Sequence, residues 1–321
     1  MDYLGLDIAK ANFDAALLIA TEKRHGRFAN SEAGFIQLLA WLARHRPQGG
    51  HDLHACMEAT GNWGLDLAAF LVGAGITVSI VNPRQIKSFG ESELARNKTD
   101  KLDAALIARF CRAHTLLPWV PPLPGMRELR EMVRRCAALK AMRTQEINRQ
   151  KAGFASAGVA ASLARGLAHL DAEIATVTDE IHAMIAGNPE LQARFCLLRS
   201  IPGLGEVTAA VILAELPNIT EFTPKALAAF AGLSPQESSS GNRRLQGGIS
   251  RIGNARLRAA LFMCALSARR HNPALKQFVQ RMTSAAKPNK VILVAIARRL
   301  LVFAHAVLRS QQPFQSQGQA A

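Results

Sequence analysis

The sequence predicts an α/β domain with a mixed sheet, then a connector of long helices and a mainly α-helical domain. Three observations predict this order. Strand-like and helix-like patterns alternate over the first 113 residues, "PWVPPLPG" interrupts the chain at 118–125, and apolar residues recur at helical spacing after it. A chain of 321 residues is long enough to bury two cores. We expect the α/β domain over 1–117, the proline-rich break and helical connector over 118–187, the helical domain over 188–310 and a polar tail over 311–321.

The N-terminal domain begins with antiparallel strands. "YLGLDIA" and "FDAALLIA" are apolar runs around "KAN", which predicts a hairpin, and "RHGRFAN" predicts a third strand. Ser31 caps the helical pattern of "SEAGFIQLLAWLARH". "LHACMEATG" and "ITVSIVNP" predict two more strands, with the helical "NWGLDLAAFLVGAG" between them and "TDKLDAALIARFCRAH" as a final helix. Antiparallel strands followed by strands that alternate with helices predict a mixed sheet.

Two long helical stretches follow the proline-rich break, "MRELREMVRRCAALKAMRTQEINRQ" and "SLARGLAHLDAEIATVTDEIHAMIAG". Paired, they would form an antiparallel coiled-coil-like hairpin, a common means of joining subunits. The remaining segments predict a helical domain. Within it, "IPGLG" (201–205) is typical either of a helix-hairpin-helix turn that binds phosphate or of a tight corner between helices. The last residues, "QQPFQSQGQAA", predict a disordered tail.

The positive charge is concentrated at the C-terminal end. The net charge is +15, and residues 238–321 hold 14 Lys and Arg residues and no Asp or Glu. Such a segment suits a nucleic-acid backbone, where each neutralised phosphate releases counterions. An anionic membrane is the competing partner, but the segment lacks a helix with a Trp/Phe face, and apolar runs stay below the roughly 18 residues of a membrane span. Five scattered cysteines without a CxxC pair indicate reduced thiols in a cytoplasm.

Four carboxylates occur where predicted strands end or a helix begins: Asp7, Glu58, Asp100 and Asp103. Singly, each has a structural explanation as a turn or helix-cap residue. Together at one crevice, each close pair would repel by about 4 kcal/mol, and two Mg²⁺ ions would relieve that repulsion and hold a phosphodiester. Arg96 and Lys98, just before the helix, would guide nucleic acid to the metals.

Several segments resemble a known family in order and spacing. "GLDIAKANFD", "CMEATGNW", "VNPRQIKSF" and "LARNKTDKLDAALIARFC" resemble the N-terminal RuvC-like (RNase H-like) domain of insertion-sequence transposases of the IS110 family. "SIPGLGEVTAAVILAEL", "AAFAGLSPQESSSGNRRLQGGISRIGNARLRAALFM" and "NKVILVAIARRL" resemble that family's C-terminal transposase domain. The resemblance implies that Asp7, Glu58, Asp100 and Asp103 are the family's acidic tetrad and that Ser240 is its catalytic serine.

The residues support a serine nucleophile independently. A recombinase that forms a covalent intermediate needs a hydroxyl group, and the only tyrosine, Tyr3, lies in the first strand. The alternative is a solvated Ser/Gly loop. Because Ser238 and Ser239 precede Ser240, the nucleophile could be either neighbour. The basic residues that would hold the DNA backbone beside the serine are Arg243, Arg244 and Arg251.

The resemblance also implies partners. IS110-family members are bacterial cytoplasmic recombinases that act on donor and target double-stranded DNA, guided by a structured bridge RNA. They work as dimers that join into tetramers on DNA, which implies that this protein is a homo-oligomer. The resemblance further implies two Mg²⁺ ions per site and no membrane partner. Trp63 and Trp119 could stack on bases, although packing also explains them.

Three other functions stay open from the residues. A hydrolytic nuclease or junction resolvase would use the same tetrad without the serine. An actin-like ATPase or sugar kinase is suggested by "GLDIAKANFDAAL", which resembles a phosphate hairpin, although "IAK" lacks the usual Gly/Thr pair. A non-catalytic nucleic-acid-binding protein would need only the basic segment.

Overall fold

The computed structural model describes the chain except residues 21, 47–51, 60, 94–99, 155, 241–242, 251 and 316–321. For residues 100–102, 236–240 and 243–247 it gives the backbone alone. The chain divides into two compact units, Met1–Pro121 and Pro122–Ala321.

The first unit contains a five-stranded mixed sheet, as predicted. Its strands are β1 (Asp2–Ile8), β2 (Asn12–Ile19), β3 (Glu22–Ala29), β4 (Leu53–Glu58) and β5 (Thr77–Val81). In space their order is β3-β2-β1-β4-β5. The first three strands pair antiparallel, and β1, β4 and β5 pair in parallel. The carboxyl ends of β1 and β4 therefore lie side by side at one edge of the sheet.

Helices cover both faces of this sheet: α1 (Glu32–His45), α2 (Leu65–Gly73), α3 (Pro83–Ser92) and α4 (Asp100–Ala113). Apolar side chains of α1 and α2 share a core with Leu4 and Leu6 of β1. On the opposite face α4 lies so close to β1 that a Cβ on Gly5 would be 2.0 Å from the carbonyl oxygen of Ala104. Glycine at position 5 thus allows the helix to contact the strand backbone.

Helix α3 was not predicted from the sequence. Pro83 ends the extended pattern of the preceding strand, but it also occupies the first turn of a helix, where its missing N–H has no intrahelical partner to lose. Asn82 caps this helix by accepting a hydrogen bond from the Arg84 backbone N–H at 2.9 Å.

The second unit is mostly helical, as predicted. Its helices are α5 (Met126–Ala152), α6 (Ala157–Ala186), α7 (Pro189–Arg199), α8 (Glu206–Glu215), α9 (Pro224–Phe230), α10 (Ala255–His271), α11 (Lys276–Ser284) and α12 (Asn289–Ser310). The long helices α5 and α6 pack against each other as a hairpin. Their buried residues, such as Leu129 and Ile181, lie at its base, while the described side chains over 140–176 are partly or fully exposed. A coiled-coil geometry stays a prediction.

A two-stranded hairpin interrupts the helical unit. It is formed by β6 (Pro235–Ser240) and β7 (Arg243–Ile249), which pair antiparallel. Ser240 is the last residue of β6, and Gly241 and Asn242, which complete the Ser/Gly loop of the alternative interpretation, lie outside the described residues.

The "IPGLG" segment forms a tight corner between α7 and α8. Gly203 has φ +89°, and a Cβ there would lie 2.5 Å from the Cα of Ala268 on α10. At the start of α8, the Glu206 carboxylate forms an ion pair with Arg199, with 2.7 Å between Oε1 and Nη1. Since a carboxylate already complements the first turn of this helix, the corner interpretation fits better than a phosphate-binding turn.

The C-terminal segment packs onto the helical core before residue 316. Phe314 donates its backbone N–H to Ser200 Oγ at 2.8 Å, and its ring lies 5.0 Å from that of Phe303. The predicted disorder is therefore wrong for residues 311–315. Helix α12 is the one helix in the described part of the chain that is long and apolar enough to cross a membrane. More than half of its most apolar 18-residue stretch is buried, with Ile296 and Leu300 in the core. It is therefore a core helix of this unit.

Candidate active site

The strand period of two places Asp7 and Glu58 on the same face of the sheet. Leu4 and Leu6 point into the core beneath α1 and α2, so the alternate residues of β1, Gly5 and Asp7, face α4. In the parallel register, Gly5 is level with Cys56 of β4, and Glu58 follows two residues later. Both carboxylates therefore lie at the carboxyl end of the parallel strands, on the face that α4 covers.

Helix α4 runs antiparallel to β1 and β4. Ala104 lies over Gly5, and the Cys111 thiol, near the other end of the helix, donates to the backbone carbonyl of His54 at 3.8 Å. His54 lies at the start of β4, so the beginning of α4 points toward the strand ends. Asp103 is thus carried to the edge of the sheet where Asp7 and Glu58 lie, and all three side chains are partly buried.

Asp100 is the first residue of α4, and its side chain lies outside the described atoms. Arg96 and Lys98 also lie outside the described residues. Asp100 and Asp103 are one helical turn apart, which places them on neighbouring positions of one helix face.

Carboxylate oxygens are the ligands that Mg²⁺ prefers in proteins. The described part of the chain contains no group of three or more His, Cys, Asp or Glu side chains arranged to hold a metal ion. The Asp100 side chain is not among those described. The four carboxylates fit Mg²⁺ in the chemistry of their donors, and the backbone brings their positions to the same end of the parallel strands.

The structure adds one carboxylate that the sequence analysis did not single out. Asp14 of β2 is directly opposite Asp7 in the antiparallel register, so both side chains lie on the face of α4. Asp14 is 6% exposed, and its two oxygens contact His25 Nε2 at 2.8 Å and Arg27 Nε at 3.8 Å. The spacing of the two aspartates around the predicted "KAN" turn is the signal that could have found it.

The serine segment lies in the second unit, on the hairpin of β6 and β7. In the hairpin register Ser240 is opposite Arg243, and Ser239 is opposite Arg244. Arg251 lies outside the described residues.

A polar network anchors the base of this hairpin to the helical core. Glu215, at the end of α8, is 5% exposed and accepts hydrogen bonds from Arg134 Nε and Nη2 of α5, each at 2.9 Å. Asn254 Nδ2 donates to the same carboxylate at 2.7 Å. Asn254 also caps α10, accepting from the Leu257 backbone N–H at 3.0 Å, and its own N–H donates to the Phe230 carbonyl at 2.7 Å.

The electrostatics of Glu215 follow from this network. Burial alone would raise the pKa of Glu215, but the hydrogen bonds from Arg134 and Asn254 and the charge of Arg134 outweigh burial and lower it. The ionised carboxylate in turn raises the pKa of Arg134 through the same hydrogen bonds. Glu215 is therefore a fixed negative charge at neutral pH.

The chain approaches Glu215 from the hairpin through a strained glycine. Gly253 has φ +141°, and a Cβ there would lie 2.3 Å from the Phe230 carbonyl oxygen. Only glycine allows the backbone after β7 to pass this close to the end of α9.

Comparison with known proteins identifies the family. Residues 4–155 match the profile of the IS110 DEDD domain, described as a transposase, and residues 196–280 match the profile described as the transposase IS116/IS110/IS902 family. The chain belongs to the IS110 family of transposases. The first of these matches contains the four predicted tetrad positions, and the second contains Ser240.

Two relatives extend the similarity over most of this IS110-family transposase. The pilin gene-inverting protein of Moraxella lacunata is 35% identical over 316 residues, which cover 97% of each chain. The transposase for insertion sequence element IS1111A of Coxiella burnetii is 28% identical over 247 residues, 67% of this chain and 65% of its own. Among solved structures, Thermus thermophilus RuvC in complex with a Holliday junction substrate covers 37% of this chain and 99% of its own, with 15% identity and a TM-score of 0.28. The family assignment rests on the sequence matches alone.

Proposed function

We propose that this transposase cuts and rejoins DNA strands through a phosphoserine intermediate at Ser240, in a reaction that requires the carboxylates of the first unit. The observation that carries the proposal is the convergence of Asp7, Glu58 and the start of α4 on one edge of the sheet. Family membership supports it, as does the similarity to a relative named as a gene-inverting protein.

In this proposal Asp7, Glu58, Asp100 and Asp103 hold two Mg²⁺ ions. When bound, Mg²⁺ supplies positive charge that stabilises the phosphate during strand cleavage. The chain's own contribution is to fix the carboxylates: Asp7 and Glu58 on adjacent parallel strands, and the two others on a helix packed against the strand backbone.

Ser240 supplies the nucleophile. Its Oγ attacks the scissile phosphorus, a P–Oγ bond forms, and the P–O3′ bond breaks. The serine gives up its proton and the departing strand end gains one, so that a 3′ hydroxyl is released. Because one phosphodiester replaces another, the bond energy is retained, and the reverse attack by a 3′ hydroxyl on a new partner needs no ATP. Arg243 and Arg244, opposite Ser240 and Ser239, would balance the charge on the attacked phosphate.

The partners in this proposal are donor and target duplex DNA and a structured bridge RNA, with the protein acting as a homo-oligomer. The basic C-terminal segment supports nucleic-acid binding. Among its Lys and Arg residues whose side chains the structure describes, eight are exposed: Arg256, Arg270, Lys276, Arg281, Lys287, Lys290, Arg298 and Arg309. Sequencing of RNA that copurifies with the protein would test the RNA partner, because random cellular RNA in that fraction would contradict a dedicated guide.

The experiment for the serine is to react the protein with labelled DNA, denature it and map the adduct by mass spectrometry. We expect an adduct on Ser240, and we expect Ser240→Ala to retain binding while losing cleavage and adduct. Ser238→Ala and Ser239→Ala are matched controls that should keep both. Undiminished cutting by Ser240→Ala, with no adduct on the wild type, would instead assign a hydrolytic nuclease.

A further inference from the structure

One exposed tryptophan lies at the same edge of the sheet as the acidic residues. Trp63 follows β4 in the turn before α2, five residues after Glu58, and its side chain is 48% exposed. The other tryptophans differ: Trp41 is buried in the sheet core, and Trp119 packs against it. A single exposed apolar residue is common on protein surfaces, so its meaning depends on its neighbours.

The neighbour of this ring is a cation. Lys10 Nζ lies 5.5 Å from the centre of the Trp63 ring, within the range of a cation–π interaction. Lys10 belongs to the turn between β1 and β2, three residues after Asp7. Three residues of extended chain span at most about 11 Å, so the Cα atom of Lys10 lies within that distance of the Cα atom of Asp7.

Both turns are fixed by one side chain. Asn30 Nδ2 donates to the Ala9 carbonyl at 3.1 Å and to the Trp63 carbonyl at 3.0 Å. The Asn30 backbone N–H also donates to the Ala11 carbonyl at 2.9 Å. The turn that carries Lys10 and the turn that carries Trp63 are therefore joined, and the backbone that carries the exposed ring is already ordered before binding.

We propose that Trp63 and Lys10 form a platform for an unpaired nucleobase next to the phosphate that is cut. The ring stacks on the base, and the Lys10 ammonium pairs with an adjoining phosphate. Stacking on an aromatic ring tolerates any base, which suits an enzyme whose sequence choice would be made elsewhere. The inference rests on the proposed function, because it assumes that the acidic edge is where a nucleic-acid strand is cut.

The test is photo-crosslinking with the full-length Ser240→Ala protein. The probe is an oligonucleotide with a single-stranded arm of about 12 nucleotides, which carries 5-iodouracil at successive positions. One set of probes has a DNA arm and the other an RNA arm, so the two sources of an unpaired base are distinguished. We expect the crosslink to map to Trp63 from one or two adjacent positions of one of the two arms.

Three variants, added to the Ser240→Ala protein, separate stacking from folding. Trp63→Leu should lose the crosslink and weaken binding of the arm about tenfold, and Trp63→Phe should recover most of that affinity because it retains a ring. Ile36→Ala, which changes another exposed apolar residue of the same unit, should leave both unchanged. Crosslinks confined to other residues, with Trp63→Leu binding as tightly as its parent protein, would overturn the platform and leave the proposed function intact. A parent protein that binds neither probe would contradict both.

Discussion

At the scale of single residues, the period of a strand decides which carboxylates can act together. Asp7 and Glu58 are 51 positions apart in the sequence, yet the parallel register of β1 and β4 makes them near neighbours on one face. The sequence predicted this convergence because each residue ends an apolar run. It did not predict Asp14, which does not end an apolar run and is found only from its position opposite Asp7 across the "KAN" turn.

Neutral variants of the acidic residues should abolish strand cleavage without unfolding the protein. We expect Asp7→Asn, Glu58→Gln, Asp100→Asn and Asp103→Asn each to reduce cleavage at least about a hundredfold. The melting temperature of the metal-free protein should stay equal or rise, since one member of a repelling set is removed. Cleavage assays and thermal denaturation measure the two quantities. The control Glu32→Gln, at the exposed start of α1, should be fully active. A variant that cleaves at the wild-type rate would be rejected as a site residue.

Asp14→Asn should change the metal requirement more than the maximal rate. Asp14 lies about 5 Å from Asp7 in backbone spacing, and loss of its charge leaves the positive charge of Arg27 without this partner. We expect the Mg²⁺ concentration for half-maximal cleavage to rise about tenfold, with most activity restored at saturating Mg²⁺. A titration of cleavage against Mg²⁺ measures this. An unchanged half-maximal concentration would show that Asp14 serves the fold alone.

At the scale of elements, the prediction from sequence succeeded where apolar periodicity was strong and failed where pairing set the structure. Strands such as β2 and β4 are short apolar runs that are buried over most of their length, and the long helices have an apolar period of 3.6 residues. The segment "PQESSS" is polar and poor in strand-forming residues, so β6 exists only because β7 pairs with it. In the same way, Phe314 is ordered by contact with Phe303, which no local pattern near the C-terminus reveals.

The network at Glu215 makes the serine hairpin depend on the helical core. Asn254→Asp would place a second carboxylate at the position of an amide that is 2.7 Å from Glu215, while keeping the oxygen that caps α10. We expect a loss of about 3 kcal/mol or more in the stability of the second unit and a lower yield of the covalent adduct. Adding Glu215→Gln should recover much of both, because an amide can again donate between the two groups.

Thermal denaturation and adduct yield measure this double-mutant cycle. The control is Ser156→Asp, which changes another N-cap of the same unit and should alter neither quantity. If Asn254→Asp lowers the melting temperature but leaves the adduct yield of the folded protein unchanged, the network stabilises the unit without positioning the hairpin.

At the scale of the whole molecule, the excess positive charge lies in a C-terminal segment that contains no carboxylate side chain. Residues 238–321 contain 14 Lys and Arg residues and no Asp or Glu. Two of these residues contact the same aromatic ring: the Cζ atoms of Arg281 and Arg299 lie 5.8 Å and 4.0 Å from the centre of the Phe278 ring. Burial and the nearby Arg281 lower the pKa of Arg299, as expected for like charges held together. A polyanion is the partner that relieves such repulsion.

Salt dependence tests whether this segment binds the nucleic-acid backbone. If about six of its basic residues meet duplex phosphates, log K should fall with log salt at a slope near −5.

Deleting the segment is a poor test, because α10 and α12 supply buried residues such as Leu261 and Leu300 to the core. A better test replaces four exposed basic residues with glutamine: Arg270, Arg281, Lys287 and Lys290. If each of them contacts one phosphate, the magnitude of the slope should fall by up to about 3.6. The same change at four exposed residues outside the segment, Lys23, Lys151, Arg165 and Lys225, is the matched control. Equal losses from the two sets would mean that binding follows total charge, and the separation of charge along the chain would then have no role in it.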